Sequence, residues 1–431
     1  MIKFKDIKLE EHKKGFNTKK PPLIKWNEQI PLKLISFKVS ISKNDMKKIK
    51  SFYLFFLGMM SVSLISCAEK EENSRIQEPS PFATVSDKMT FKVDTLYTEF
   101  ESPWGMTWLP DGRMLVVERK GEILVFKDDK FTGEKLTGVP ETREINQAGM
   151  LDITLHPDYA NNGWIYLAYS RPEGEGDVLV ISRAKLNGND MHSVEEIFVC
   201  GPEWKGGRHF GSRIIFDNAG YLYFSNGDKG SRPTNAQELD NDHGKIHRIK
   251  DDGSIPEDNP FVNTPGANPS IWTYGNRNPQ GMIYDAENDR IWAVEHGPKG
   301  GDELNLIEKG KNYGWPVISY GINYDGTILT ELTEKEGMEQ PVTHWTPSIA
   351  VCGMTLVTSD RYPAWKGNLL VAALAGQQVA RVELDGTTYV GEEKLLDGIG
   401  RVRQVSQSPD GYIYAVTEAT GLMIKLIPQG S

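Results

Sequence analysis

The stretch IWTYGNRNPQGMIYDAENDRIWAVEHGPKGGDELNLIEKGKNYGWP, residues 271–316, contains one copy of the phrase that decides the fold. A polar turn, Asp285–Asp289 (DAEND), leads into a short strand of β-branched and aromatic residues, Arg290–Val294 (RIWAV). Asp and Asn favour turns because their side chains bond to nearby backbone, whereas Ile, Trp and Val fit a pleated sheet. Working outward, the same phrase recurs at Arg113 (RMLVVE), Trp164 (WIYLAY), Tyr221 (YLYFS), Asn368 (NLLVA) and Tyr412 (YIYAV). The turns before these five are PDG, PDYANNG, DNAG, WKG and PDG.

Successive strand starts are 51, 57, 69, 78 and 44 residues apart. A weak repeat of this length, with room for several strands per copy, predicts a β-propeller whose individual copies are lengthened by inserted loops. No segment keeps a long 3.6-residue period, which disfavours α/β barrels and doubly wound sheets. The expected fold class is all-β, a six-bladed β-propeller of four-stranded blades spanning residues 91–431. A seven-bladed propeller or a pair of sandwiches is the alternative. In a propeller each small sheet buries its faces against its neighbours, and loops from different blades converge on a central depression.

The chain has 431 residues, 39% hydrophobic and 25% charged, enough for one large all-β domain or two smaller ones. Its net charge of −10 hides a split. The first 66 residues carry 14 lysines against 5 acidic side chains, and the remainder is net −19. A body so acidic is repelled by phosphate backbones, which argues against a nucleic acid partner. Of the three cysteines, Cys200 and Cys352 read as ordinary buried thiols, because a disulfide framework needs more than one possible bridge.

The third cysteine belongs to an address. Met46–Lys50 is basic, and Ser51–Ser66 is an uncharged apolar run of 16 residues, short for a bilayer span and typical of a secretory signal. Its end, Leu64-Ile65-Ser66-Cys67, resembles the lipobox of bacterial lipoproteins. That resemblance implies that Cys67 becomes the lipidated first residue of a mature, extracytoplasmic, membrane-anchored protein, periplasmic or displayed at the cell surface. A plain transmembrane anchor is the alternative and leaves the body in the same compartment. Residues 1–45 then read as a mis-called start or a disordered segment, 46–66 as the signal, and 67–90 as the lipidated cysteine and a polar tether.

Candidate chemistry lies between the strands. His209 sits in GGRHFGSR, residues 206–213, with glycines on both sides that leave the ring approachable. Histidine suits proton transfer near neutral pH, and Asp228, in the NGD after the third repeated strand, can hold its second nitrogen. A lone histidine also has structural roles, so pattern alone leaves catalysis open. Arg277 and Asn278 end the strand that opens the quoted stretch. Arg401 and Arg403 precede the last repeat, and alternation places both on one strand face, where they suit a ligand with several carboxylates. Surface ion pairing is their other reading. Gly297 and Pro298 lie in a run that cannot be regular strand or helix, so their carbonyls can face a hard cation such as Ca²⁺. Asp302 and Glu303 add negative charge nearby, or cap the loop by accepting backbone N–H bonds.

These phrases occur in one order from about Phe91 to Pro428: QAGMLD (147–152), the His209 loop, NGD (226–228), GNRNPQG (275–281), EHGP (295–298), GDELN (301–305), GKNYGWP (310–316) and RVR (401–403). Together they resemble the family of soluble quinoprotein sugar dehydrogenases, the glucose/sorbosone dehydrogenase family, and within it the aldose sugar dehydrogenases. The resemblance implies a six-bladed propeller holding pyrroloquinoline quinone (PQQ) and Ca²⁺. It implies that His209 is the base that accepts the proton of the sugar's anomeric hydroxyl and that Asp228 orients it. It further implies that Gln147, Arg277, Asn278, Arg401 and Arg403 bind the cofactor with Asp302 in the same loop, and that Gly297 and Pro298 offer carbonyls to Ca²⁺. An aldose substrate, a lactone product and an external electron acceptor follow, with the protein a monomer or homodimer.

Three positions depart from the family pattern. Ala375, in Ala373-Leu374-Ala375-Gly376, stands where a lysine touching the quinone is expected. Ser212 replaces a glycine, and Asn276 replaces a histidine. Two rival functions follow. A Ca²⁺-dependent propeller lactonase holds its metal with Glu, Asp and Asn side chains. A non-catalytic sugar- or partner-binding propeller is motivated by Ala375.

Overall fold

The computed structural model describes residues 86–429. The predicted start, the signal, Cys67 and most of the tether lie outside the described residues. Within them are six four-stranded antiparallel sheets. Blade one comprises β2 (Pro103–Trp108), β3 (Arg113–Glu118), β4 (Glu122–Lys127) and β5 (Lys130–Lys135). Blade two comprises β6 (Met150–Leu155), β7 (Trp164–Glu173), β8 (Gly176–Asn187) and β9 (Asp190–Val199). Blade three comprises β10 (Ile214–Phe216), β11 (Leu222–Asn226), β12 (Lys245–Ile249) and β13 (Ile271–Tyr274). Blade four comprises β14 (Pro279–Asp285), β15 (Arg290–Glu295), β16 (Asp302–Ile307) and β17 (Thr343–Trp345). Blade five comprises β18 (Val351–Leu356), β19 (Leu369–Ala373), β20 (Gln378–Asp385) and β21 (Thr388–Leu395). Blade six comprises β22 (Arg401–Gln407), β23 (Ile413–Glu418) and β24 (Met423–Gln429), and its outer edge is β1 (Thr90–Tyr97) from the start of the domain. Pairing of β1 with β24 joins the two ends of the domain, and the first strands of successive blades neighbour one another around a closed ring.

The repeated phrase is the second strand of every blade, and it is legible because that strand is buried on both faces. In β15, Trp292 and Val294 pack into the cluster shared with blade five, whereas Ile291 and Ala293 pack into the one shared with blade three. In β3, Leu115 and Val117 face blade two, and Met114 and Val116 face blade six. Strands buried on both sides read as near-continuous apolar runs. The six core clusters each join two adjacent blades, the arrangement expected of sheets that bury their faces only against neighbours. Cys200 and Cys352 are buried free thiols.

Register fixes which loops meet. In blades one, four, five and six the first residue of the first strand pairs with the last of the second, as in Pro279 with Glu295, Pro103 with Glu118 and Arg401 with Glu418, and in blades two and three it pairs two to four residues before that end. The connection entering a blade and the one between its second and third strands therefore emerge at the same end. Every candidate side chain of the propeller lies on one of these connections or within three residues of it.

Candidate functional site

The geometry is built around His209, on the connection from blade two to blade three. Its backbone lies at φ +52°, in the left-handed region that costs a β-carbon-bearing residue about 1 kcal/mol or more. Surrounding bonds hold it there. Its N–H donates to Gln147 Oε1 at 2.9 Å, and its Nδ1 lies 2.5 Å from Asp228 Oδ1. Gly227 has room for no side chain: a β-carbon there would come within 2.4 Å of the His209 carbonyl oxygen. The other Asp228 oxygen accepts the Trp315 indole N–H at 2.7 Å, and the Asp228 N–H donates to the Arg277 carbonyl at 2.8 Å.

Burial pushes the His209 imidazole below the usual histidine range, and the Arg277 and Lys229 charges push the same way against the Asp228 carboxylate. For Asp228, burial alone raises the carboxyl, but His209 and Arg277 outweigh it and hold it below the usual range. The pair is therefore a neutral imidazole held by an ionised carboxylate.

Arg277 links this pair to the next loop. Its Nη1 donates to the carbonyls of His296 and Gly297 at 3.0 and 2.8 Å, and its guanidinium lies 5.2 Å from the Trp315 ring centroid. Asn278 Oδ1 accepts from the Gly211 N–H at 3.2 Å. Glu295, missed by sequence reasoning, braces this corner: its carboxylate accepts from the backbone N–H groups of Arg277 and Asn278 and from the side chains of Asn276 and Asn305. Burial, and then Glu295 opposite, push the Glu303 carboxyl up to about 8. Asp302 takes the capping role, because both its oxygens are occupied: Gly297 N–H, Ser348 Oγ–H and Ala350 N–H all donate to it. It is buried and ties the Gly297–Pro298 loop to blade five.

The expectation that alternation places Arg401 and Arg403 on one strand face needs correction. A β-bulge at Arg403 shifts the register between Val402 and Gln404. The Arg403 side chain is only 4% exposed and that of Arg401 is 44% exposed, so the bulge turns Arg403 inward and leaves Arg401 on the rim. The two guanidiniums converge on Glu418 all the same. Five of the six inner strands carry such a register shift near the site end. Bulges re-aim side chains. Three of the residues they displace meet: Arg403 Nη1 donates to Gln280 Oε1 at 2.6 Å, and the Arg403 guanidinium sits 3.9 Å from the Trp104 ring centroid.

Three departures from the family pattern have a physical description. Ser212 lies at φ +75°, a conformation glycine adopts without strain. Asn276 is buried and satisfied, accepting from Thr273 and donating to Glu295. Ala375 is exposed on the connection between β19 and β20, at the site end. Trp315 comes from the insertion between β16 and β17, which returns to the site end, and the GKNYGWP phrase that carries it gives no sign of the contact with Asp228.

Two buried donors here, Arg277 Nε and Asn278 Nδ2, lack a protein partner, as does the His296 ring nitrogen Nε2. Burial, reinforced by the Arg277 and Arg403 charges, holds the His296 ring well below the histidine range. A cluster of cationic and neutral donors suits an anionic ligand with several acceptors. Among the described residues, no group of three or more His, Cys, Asp or Glu side chains is placed to hold a metal.

Known proteins resemble this chain along most of its length. The family described as Glucose / Sorbosone dehydrogenase matches residues 100–425. The chain is 39% identical to the aldose sugar dehydrogenase YliI of Escherichia coli, across 79% of this chain and 94% of that protein. It is 27% identical to quinoprotein glucose dehydrogenase B of Acinetobacter calcoaceticus, across 80% of this chain and 88% of that protein. Among solved structures, the apo-form of the E. coli soluble aldose sugar dehydrogenase superposes with a TM-score of 0.75 at 36% identity, covering 79% of this chain and all of that one. The PQQ-bound aldose sugar dehydrogenase of Streptomyces coelicolor superposes with a TM-score of 0.64 at 29% identity, covering 79% of this chain and 99% of that one. By fold, ordered motifs and sequence, the chain belongs to the glucose/sorbosone dehydrogenase family.

Proposed function

We propose that this protein oxidises aldoses at the anomeric carbon to lactones, using PQQ and Ca²⁺, and passes the electrons to an external acceptor. The observation that carries the reading is the His209–Asp228 pair set among buried donors without protein partners. Arg277, Asn278 and Gln147, with Arg401 and Arg403, would hold PQQ, and their charge suits its three carboxylates. The carbonyls of Gly297 and Pro298 would hold Ca²⁺. A carbonyl oxygen has two lone pairs, so the bond from Arg277 leaves Gly297 one for a cation. When bound, PQQ supplies the hydride acceptor and Ca²⁺ the charge that polarises its quinone carbonyl.

The chain's own residues do the rest. With Nδ1 held against a carboxylate, the ring carries its proton there and offers the Nε2 lone pair to the sugar hydroxyl. Asp228 fixes that tautomer and stabilises the imidazolium that forms, while Trp315 keeps the carboxylate from rotating. The Gln147 bond to the His209 backbone sustains the left-handed conformation that aims the ring.

The test is to titrate the purified cofactor-free protein with PQQ in Ca²⁺ and follow dye reduction with a panel of aldoses. Saturable activity abolished by EDTA is the expected result. Absence of activity, with no quinone absorbance retained on the protein, would overturn the reading in favour of the non-catalytic propeller that Ala375 motivates.

An extracytoplasmic location with a lipid anchor on Cys67 belongs to the same proposal, since the LISC phrase follows a basic start and an apolar run. Mass spectrometry of the mature N-terminus tests it. A lipidated Cys67 is expected, and an unmodified residue upstream of it would refute the anchor.

A further inference from the structure

We propose that segment 319–340, at the rim of the site, is the docking surface for a basic one-electron redox protein. The inference rests on the dehydrogenase reading above and names the class of acceptor.

The segment, SYGINYDGTILTELTEKEGMEQ, lies in the insertion between β16 and β17. Nine large apolar side chains are exposed among the described residues, and four of them fall within eleven positions here: Tyr324 is 72% exposed, Ile328 65%, Leu332 46% and Ile322 37%. Such a concentration marks an interaction site, whereas scattered exposed residues are ordinary. Acidic side chains are interspersed with it along the segment. Asp325, Glu331, Glu334 and Glu336 are exposed, and none closes an ion pair within the described residues; Glu339 pairs with Lys311 at 2.8 Å. Lys335 is the segment's one basic residue. An apolar centre in an acidic setting, on a body of net charge −19, complements a lysine-rich partner and repels an acidic one.

The patch is continuous with the site. The Lys299 N–H donates to the Ile322 carbonyl at 3.0 Å, which fastens the patch to the Gly297–Pro298 loop. Gly321 packs so closely that a β-carbon there would meet the Gly300 carbonyl oxygen at 2.2 Å and Pro298 Cδ at 2.9 Å. A partner seated on Ile328 and Leu332 is thus held beside the loop assigned to the cofactor. Oxidation of one aldose to its lactone releases two electrons and two protons. Two molecules of a one-electron haem protein take one electron each in turn, and the protons leave to solvent. Small, weak, salt-sensitive contacts are usual for such encounters.

The probe is mitochondrial cytochrome c, a lysine-rich haem protein. Its binding to the immobilised, cofactor-free protein is measured by surface plasmon resonance at low and high salt. Reduction of the same probe and of a small uncharged dye is then followed with the cofactor-loaded protein. Weak, salt-sensitive binding is expected. The triple variant Glu331→Lys/Glu334→Lys/Glu336→Lys should weaken it at least about tenfold, and Ile328→Ser severalfold, with dye reduction unchanged in both. Binding and cytochrome reduction that survive the charge reversal would overturn the docking surface. A wild-type protein that reduces no dye would instead sink the dehydrogenase reading, while the binding measurement still decides whether the patch recognises a basic partner.

Discussion

Blade two and blade three are neighbours built from the same unit, yet they use it differently. In blade two, β7, β8 and β9 run 10, 12 and 10 residues, joined by tight turns. In blade three the four strands have 3, 5, 5 and 4 residues, and the chain goes into the connections between them. Their interiors differ too. Strand β8 buries Val178, Leu179, Val180, Ile181 and Ala184, with Asp177 and Ser182 as its buried polar side chains. The corresponding strand of blade three buries Lys245, His247 and Arg248. Lys245 donates to the carbonyls of Asn235, Ala236 and His243, pinning the connection that follows Asp228, and burial pushes its ammonium down to about 7. Blade two contributes packing within its strands. Blade three, with the insertion of blade four, gives up regular sheet to place polar groups at one end of the axis. The two longest intervals between repeats supply Asp228, Arg277, Asn278, Trp315 and the Gly297–Pro298 loop, and shorter ones add Gln147, His209, Arg401 and Arg403.

That contrast can be broken by experiment. The largest effect is expected at His209. His209→Ala should lower turnover by about 10² to 10⁴ fold while leaving PQQ binding nearly intact, as read by steady-state kinetics and quinone absorbance. Unchanged turnover would remove His209 from the chemistry. Leu167→Ala, in the middle of β7 and fully buried, should do the converse. It should cost about 2–5 kcal/mol of stability in a denaturant titration, with kcat per folded molecule unchanged. A large loss of kcat there would erase the distinction between the blades.

Trp315→Phe sharpens the comparison by testing the insertion. It removes the indole donor to Asp228 but keeps a ring near Arg277. Turnover should fall about tenfold, or ~1.4 kcal/mol, with little change in stability. The smallest expected effect is Ser212→Gly, which relieves a left-handed residue in the His209 loop. A gain of about 0.5 kcal/mol in thermal unfolding is expected, since glycine adopts this conformation freely. A loss instead would mean that the Ser212 hydroxyl bond to the Gly211 carbonyl outweighs the strain.

The architecture was legible for a reason visible in β3 and β15. A strand packed on both sides has to be apolar along its length, and a tight turn has to precede it, so six copies stand out even without sequence identity. The start of that strand falls one residue later than the phrase suggests at Leu222, Leu369 and Ile413, because Tyr221, Asn368 and Tyr412 still belong to the turn. The site was legible where loops concentrate glycine and charge, and the His209–Asp228 pairing follows from residues at the two ends of one hairpin. What the sequence hides is the effect of bulges. Alternation cannot show that Arg403, Gln280 and Trp104 leave their strand faces to meet one another. Nor can spacing show that Trp315, 87 residues beyond Asp228, returns to hold it. Glu295 is buried and Glu418 partly so, and their roles depend on partners from other strands that no local pattern reveals.

The most direct test of the account is the pH dependence of kcat/KM for the loaded protein, compared with that of Asp228→Asn. His209 accepts a proton only when neutral. Because burial and Arg277 lower its pKa, the wild-type acid limb should fall below the ordinary histidine value of about 6.5. Removing the carboxylate takes away the group that favours the imidazolium, so the limb should move to still lower pH while the plateau drops. A wild-type limb at or above the ordinary value, or one that Asp228→Asn leaves in place, would contradict the assignment of this pair as the base and its orienting acid.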